Sequence, residues 1–192
     1  MTDLILGLLV FLGAHSVRIV AEPWRRATIA RIGAARWKLA YAAVSLVGFA
    51  LIVWGYGSAR AAPVLLWSAP IWARHVAALL TLAAFVLLAA AYVPGNAIRS
   101  RLHHPMLLGV QIWALAHLIA NGRLAAELLF ASFGLWAWIG YRAARRRDAV
   151  EARVGPSGRT GATMATVLVG VVAWAVFAFW AHGLLIGVRP FG

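Results

Sequence analysis

The sequence predicts an all-α integral membrane protein, a helical bundle with about six transmembrane helices, and three observations support this fold class. Hydrophobic residues make up 64% of the 192 residues and charged residues only 12%, whereas a soluble domain is nearer one half apolar and one quarter charged. Six apolar stretches approach the length of roughly 20 residues that a helix needs to cross a bilayer core. The basic residues are concentrated between these stretches, so lipid is the natural solvent for this chain.

Turn-forming residues separate the six stretches in the order in which they occur. Pro23 follows the first stretch, a Pro-Gly-Asn segment at 94–96 ends the third, and an Asn-Gly pair at 121–122 follows the fourth. Pro105 stands where the first turn of a helix tolerates proline. The predicted spans are Asp3–Ala21, Trp37–Tyr56, Ile71–Val93, Pro105–Ala120, Leu124–Tyr141 and Met164–Val188.

The chain divides into three parts by composition. Residues 1–145 are predicted to form a five-helix transmembrane core, 146–162 a basic cytoplasmic linker, and 163–192 a sixth transmembrane helix with a short tail. The N-terminal stretch carries Asp3, His15 and Arg18, which a secretory signal peptide would not have at those places. It is therefore interpreted as a retained first helix.

Lys and Arg are distributed very unevenly between the alternate connections, and this predicts an orientation. Four of the 18 lie on one side, namely Arg60, Arg74, Arg123 and Arg189. The other fourteen are Arg18, Arg25, Arg26, Arg31, Arg36, Lys38, Arg99, Arg101, Arg142, Arg145, Arg146, Arg147, Arg153 and Arg159. Because the cytoplasmic side collects positive charge, both termini are predicted to lie outside the cytoplasm. The same distribution argues against nucleic acid as a partner, despite a net charge of +13.

Composition also limits the chemistry. The chain has no cysteine, which excludes disulfides, thiolate-bound metals and covalently attached haem. Histidine is the strong nitrogen ligand that remains. The sequence contains neither phosphate-binding nor hydrolase motifs, and few carboxylates. This scarcity argues against a proton-coupled transporter, which usually carries carboxylates inside the membrane.

His15 and His117 are the candidate metal ligands. Each lies about twelve residues into an apolar stretch, the first helix running inward and the fourth outward. At about 1.5 Å per residue, the two histidines are expected within roughly 6 Å of the same depth. Two histidines at one level on different helices suit a bis-imidazole haem. The alternative is that each histidine forms hydrogen bonds between helices.

Five further residues are candidates for a pocket or for contacts with haem propionates. Arg74 and His75 open the third helix, and a cation at that level suits an anion; the alternative is an interfacial anchor. Trp113 and Asn121 share a helix face with His117 by their spacing of four. His104 precedes Pro105 and could instead belong to a helix-entry turn.

Four of the ten tryptophans are predicted to lie deeper than the interfacial belt, and they are Trp113, Trp136, Trp138 and Trp174. They are interpreted either as the wall of a pocket for a flat or polyene ligand or as ordinary core packing.

Several segments resemble the NnrU family of membrane proteins. They are HSVRIV at 15–20, PWR at 23–25, WKLAYAAVSLVGFALIVWGYGSAR at 37–60, ARHVAALL at 73–80 and AAYVPGNAIRSRLHHPMLLGVQIWALAHLIANG at 90–122. The resemblance covers most of residues 1–145. It implies a multi-pass protein of the bacterial inner membrane with a link to nitrite and nitric oxide metabolism, and a nitrite or nitric oxide reductase as a partner.

The family is also similar to plant ζ-carotene isomerase, a membrane enzyme that contains haem b. Its axial histidines resemble His15 and His117, and a further histidine resembles His104. The resemblance therefore implies haem b on His15 and His117. The isomerase has a cysteine where this chain has Ala114, so a thiolate ligand switch is excluded here.

Three functions remain open from the sequence. The first is a haem-b-binding protein with a redox or accessory role in denitrification, with nitric oxide as a ligand. The second is a haem-dependent cis–trans isomerase of a polyene such as a carotenoid. The third is a scaffold or small permease without a cofactor.

Overall fold

The computed structural model describes residues 1–150 and 158–191, and it confirms a helical membrane bundle. Within these ranges the chain forms helices and no strands; an isolated bridge joins Leu65 and Arg123. The helices are α1 (Thr2–Val20), α2 (Glu22–Ile32), α3 (Ala34–Ala61), α4 (Ile71–Tyr92), α5 (Ala97–Leu102), α6 (Pro105–Ala120), α7 (Leu124–Val150), α8 (Thr160–Val176) and α9 (His182–Ile186). A π-helical turn, Phe177–Ala181, joins α8 to α9.

Five helices are long and apolar enough to cross a membrane: α1, α3, α4, α7 and the continuous segment Thr160–Ile186. The remaining predicted span, Pro105–Ala120, forms a helix of 16 residues and is shorter than these five. All six predicted apolar stretches are therefore helical. The number that cross the membrane and the side on which the termini lie stay predictions.

Two short helices were not predicted, α2 and α5. They contain too many polar residues to be found by a search for apolar stretches. Within α2, Glu22 accepts hydrogen bonds from Arg25 at 3.1 Å and from Arg26 at 2.9 Å. Ion pairs at these spacings stabilise a helix that has no buried residue.

The helix α7 continues well beyond its predicted end at Tyr141 and reaches Val150. The first residues of the predicted linker, 146–150, are therefore helical, and α8 begins at Thr160. Residues 151–157 of that linker lie outside the described residues.

The bundle consists of two groups of helices joined by α7. The first group is α1 packed along α3, and the second is α4 packed between α6 and α8; α7 contacts α1, α3 and α6. Alanines dominate the buried positions, including Ala73, Ala84, Ala114 and Ala137. Small side chains let helices approach closely where lipid provides no hydrophobic drive for association. Many large apolar side chains are exposed on the outside of the bundle, which suits a lipid environment.

The turn after α4 is fixed by the Pro-Gly-Asn segment. Gly95 has φ +71, a left-handed conformation that glycine adopts without steric cost. Asn96 is only 1% exposed; its side chain accepts from the backbone N–H of Arg99 and donates to the carbonyl oxygen of Ala90. This turn brings α5 and the histidine pair 103–104 to the start of α6.

Candidate functional site

The imidazole of His15 is held on α1 by its own helix. Its Nδ1 lies 2.7 Å from the carbonyl oxygen of Phe11, one turn earlier, and its ring stacks on the Phe11 ring at 4.2 Å. A carbonyl oxygen accepts only, so Nδ1 carries the proton and donates. The Nε2 atom consequently has the lone pair, which is the arrangement of a histidine that binds a metal.

His15 lines a cavity of about 640 Å³, here called the His15 cavity. Tyr41 and Trp136 flank the imidazole, with ring centroids at 5.2 and 6.0 Å. The indole Nε1 of Trp136 is buried without a hydrogen-bond partner among the described residues. The charged and titratable residues that line this cavity are His15, Arg18, Arg25, Tyr41, Tyr92, Arg99, His103, His104, Arg147 and Asp148.

One wall of the His15 cavity is a cluster around Asp148. This carboxylate is only 8% exposed; its Oδ2 lies 2.9 Å from His104 Nε2, 3.4 Å from His103 Nδ1 and 3.6 Å from an Arg145 nitrogen. A buried charge needs such partners. His103 has φ 62, a conformation uncommon for a residue with a side chain. This residue ends α5, and the turn brings both histidines close to Asp148.

Burial lowers the pKa of His104 below its ordinary value of 6.5. The neighbouring Asp148 carboxylate acts in the opposite direction, and Arg147 adds to the lowering. Because burial outweighs the carboxylate, His104 is neutral over a wider pH range than a free histidine. It can then accept a proton as well as donate one hydrogen bond to Asp148.

His117 has the same local geometry as His15 but lies elsewhere. Its Nδ1 lies 2.8 Å from the carbonyl oxygen of Trp113, and its ring stacks on Phe130 at 4.3 Å. It lines a second cavity of about 260 Å³, the His117 cavity. The polar and aromatic residues of this cavity are Arg74, Thr81, Phe85, Trp113, His117, Asn121, Trp174, Phe177, His182, Arg189 and Phe191.

The two histidines are not brought together. The Cα traces of α1 and α6 do not come within 8 Å of each other in the part of the chain that the structure describes, whereas α7 contacts both helices. On α7, His117 packs against Phe130 and His15 against Trp136, six residues or about 9 Å further along. Phe133 lies between the two sites, 5.8 Å from both Phe11 and Trp113.

Two imidazole nitrogens on one metal lie about 4 Å apart, since each metal–nitrogen bond is about 2 Å. His15 and His117 line two cavities that share no residue, and their pairing on one haem iron stays a prediction. Among the described residues, no group of three or more His, Asp or Glu side chains is arranged to hold a metal ion.

The other candidate residues are divided between the two cavities. Arg74, Trp113 and Asn121 line the His117 cavity, and His104 lines the His15 cavity. His75 is exposed and lines neither.

The four deep tryptophans do not form one channel. Trp136 lines the His15 cavity, whereas Trp113 and Trp174 line the His117 cavity. Trp138 is 48% exposed and lies under the guanidinium of Arg142, 4.9 Å from its ring centroid.

Sequence reasoning missed Asp148, because it assigned this residue to a linker. A helix face that continues past Tyr141 would have indicated that Asp148 belongs to the helix. This face consists of four buried residues at spacings of three and four, namely Ala137, Gly140, Ala144 and Asp148. Arg189 and His182, which both line the His117 cavity, were not predicted as site residues either. Their position in a cavity depends on the return of the C-terminal segment, for which the sequence gives no signal.

Comparison with known proteins gives one match. No curated protein sequence and no solved structure matches the chain significantly. The model of a family described as NnrU protein matches residues 3–190. The match extends beyond the 1–145 region that carries the resemblance and includes the last helix. Since it covers nearly the whole chain, this multi-pass helical protein belongs to the NnrU family.

Proposed function

We propose that this protein binds haem b in the His15 cavity, with His15 as an axial ligand, and serves in nitrite and nitric oxide metabolism at the bacterial inner membrane. The observation that carries the proposal is the orientation of His15. Its Nδ1 is fixed by the Phe11 carbonyl, so in the neutral imidazole Nε2 carries the lone pair, and this side chain lines the His15 cavity.

The wall of this cavity suits the porphyrin body. Tyr41 and Trp136 provide flat surfaces on two sides of the imidazole, and a buried porphyrin gains from such apolar and aromatic contacts.

Charge supports the same cofactor. Four arginines line the cavity, Arg18, Arg25, Arg99 and Arg147, against the single carboxylate of Asp148. Arg25 also bonds to Glu22. The excess of positive charge would hold the two propionates by charge-assisted hydrogen bonds.

When bound, haem b supplies an iron that changes oxidation state and accepts a diatomic ligand such as nitric oxide at an open axial position. The chain's own residues bind and orient the cofactor, and His104 can take up a proton at the cavity wall. The link to nitrogen oxides and to a reductase partner is supported by membership of the family, which is a weaker argument than a site.

Absorption spectroscopy of the detergent-purified protein tests the proposal. We expect a Soret band, with α and β bands that sharpen on reduction by dithionite. His15→Ala should abolish these bands, because it removes the ligand nitrogen. His75→Ala is the matched control, since His75 is exposed outside both cavities, and it should leave the spectrum unchanged.

The His117→Ala variant tests whether the haem iron is bound by His15 alone or by both His15 and His117. Because His117 lines a different cavity from His15, we expect this variant to retain the Soret band. Loss of the band in both variants would establish the pair on one iron. A colourless protein from haem-replete cells would exclude both haem-dependent functions.

A further inference from the structure

We propose that the His117 cavity is a second binding site, for an amphiphilic anion whose oxyanion group is held by Arg74 and Arg189 and whose apolar body enters among Trp113, Trp174 and Phe177. This site is separate from the His15 cavity, because the two share no lining residue and open towards opposite ends of α6. It does not depend on haem.

The charges at this cavity have one sign. Arg74 lies at the start of α4, and Arg189 lies in the segment after α9. No Asp or Glu is among the residues that line the cavity. Two guanidinium groups without a carboxylate favour an anion, and the planar donors of arginine match a carboxylate or phosphate.

The interior of the cavity is aromatic. Trp113 lies 5.2 Å from the His117 ring, and Trp174 lies 6.0 Å from Phe191. The Trp174 Nε1 atom donates to Thr81 at 3.1 Å, which fixes the indole with its polar atom already satisfied. The remaining surface of these rings is apolar, so the part of a ligand that enters should be apolar too.

A π-helical turn builds one side of the cavity. Phe177–Ala181 interrupts the last transmembrane segment, and such turns are frequent at functional sites. The turn places Phe177 and His182 at the same cavity. His182 Nδ1 lies 2.6 Å from the Val188 carbonyl oxygen, and this bond returns the chain so that Arg189 lines the same cavity as Arg74.

The ligand that these features specify has an oxyanion head and an apolar tail. Its head group could belong to a free carboxylic acid or to a phosphate ester such as a lipid. Both ligands carry an anionic group on an apolar body, and a pair of probes distinguishes the two head groups.

The test is a titration of the purified full chain with dodecanoate, dodecyl phosphate and dodecanol, followed by the thermal unfolding midpoint. A ligand that binds the folded state raises this midpoint. We expect a rise with dodecanoate or dodecyl phosphate and none with dodecanol, which has the same tail without the charge. A larger rise with dodecanoate assigns a free acid, and a larger rise with dodecyl phosphate assigns a lipid-type head group.

Two arginine variants show where the probe binds. The double variant Arg74→Gln/Arg189→Gln removes exposed side chains only, so it should fold, and it should weaken binding at least about tenfold by losing the charged donors. Arg123→Gln is the matched control, because Arg123 lies on the same side of the bundle outside this cavity. An equal rise with dodecanol, or an undiminished rise in the double variant, would overturn the proposal.

Discussion

Asp148 shows most clearly how the cost of burying a charge is offset by pairing that charge with nearby side chains. Its carboxylate is nearly inaccessible and has two histidines and an arginine as partners. His104 is the nearest of these, and burial lowers its pKa despite the carboxylate. The protonation of one imidazole is thereby linked to the stability of the contact between α7 and the start of α6.

The sign of this linkage gives a prediction. The unfolded chain binds a proton at His104 near pH 6.5 and the folded chain only at lower pH, so stability is complete above about 6.5 and is lost as the pH falls through the lowered pKa. We expect the thermal unfolding midpoint to decrease as the pH falls below about 6.5. His104→Gln should flatten this decrease, because glutamine keeps a donor for Asp148 and does not titrate.

His75→Gln serves as the control for that experiment, since His75 is exposed and outside the cluster. It should keep the pH response of the parent protein. An identical response in the His104 and His75 variants would show that the decrease arises elsewhere.

Close approach of two helices is the feature that matters most at the scale of elements. Glycines at positions 7, 48 and 55 lie where α1 and α3 touch, and a Cβ on Gly55 would overlap the Leu4 backbone nitrogen. No side chain fits there, so the pair depends on glycine for its packing.

Gly55→Ala should therefore destabilise the protein by about 1–3 kcal/mol, the usual cost of overpacking. Gly57→Ala is the matched control two residues away on the same helix, because a Cβ there meets nothing within 4 Å. It should be neutral or slightly stabilising, since alanine favours a helix over glycine. Unfolding in detergent measures both. Equal effects of the two substitutions would contradict the close contact.

The elements also show what the sequence could predict. The bounds Pro105–Ala120 were predicted exactly as the structure has them, because apolarity ends abruptly at proline and at Asn-Gly. The placement of His15 and His117 in two separate cavities could not be predicted in the same way. Counting residues gives a depth along one helix, but it does not tell which helices are neighbours.

The side of the membrane on which each connection lies is a property of the whole molecule. The fourteen-to-four distribution of Lys and Arg predicts that α2 lies in the cytoplasm and the connection between α3 and α4 outside it. Because the chain contains no cysteine, single cysteines can be introduced without a background.

Ala30→Cys on α2 and Ala62→Cys after α3 are both at exposed positions. In intact cells, a thiol reagent that does not cross the membrane should label Ala62→Cys and not Ala30→Cys. Permeabilised cells, in which both variants should react, provide the control. The reverse pattern would invert the orientation of the entire bundle.

The length of α6 has a consequence for the surrounding bilayer. At 16 residues the helix spans about 24 Å, some 6 Å less than a typical hydrocarbon core. If α6 crosses the bilayer as the sequence predicts, lipids beside its exposed Met106 and Leu115 would have to shorten or disorder their chains to match it, at a modest cost for each ångström. Hydrophobic mismatch thus makes acyl-chain length a determinant of stability, and this protein should be most stable in membranes that are thinner than average.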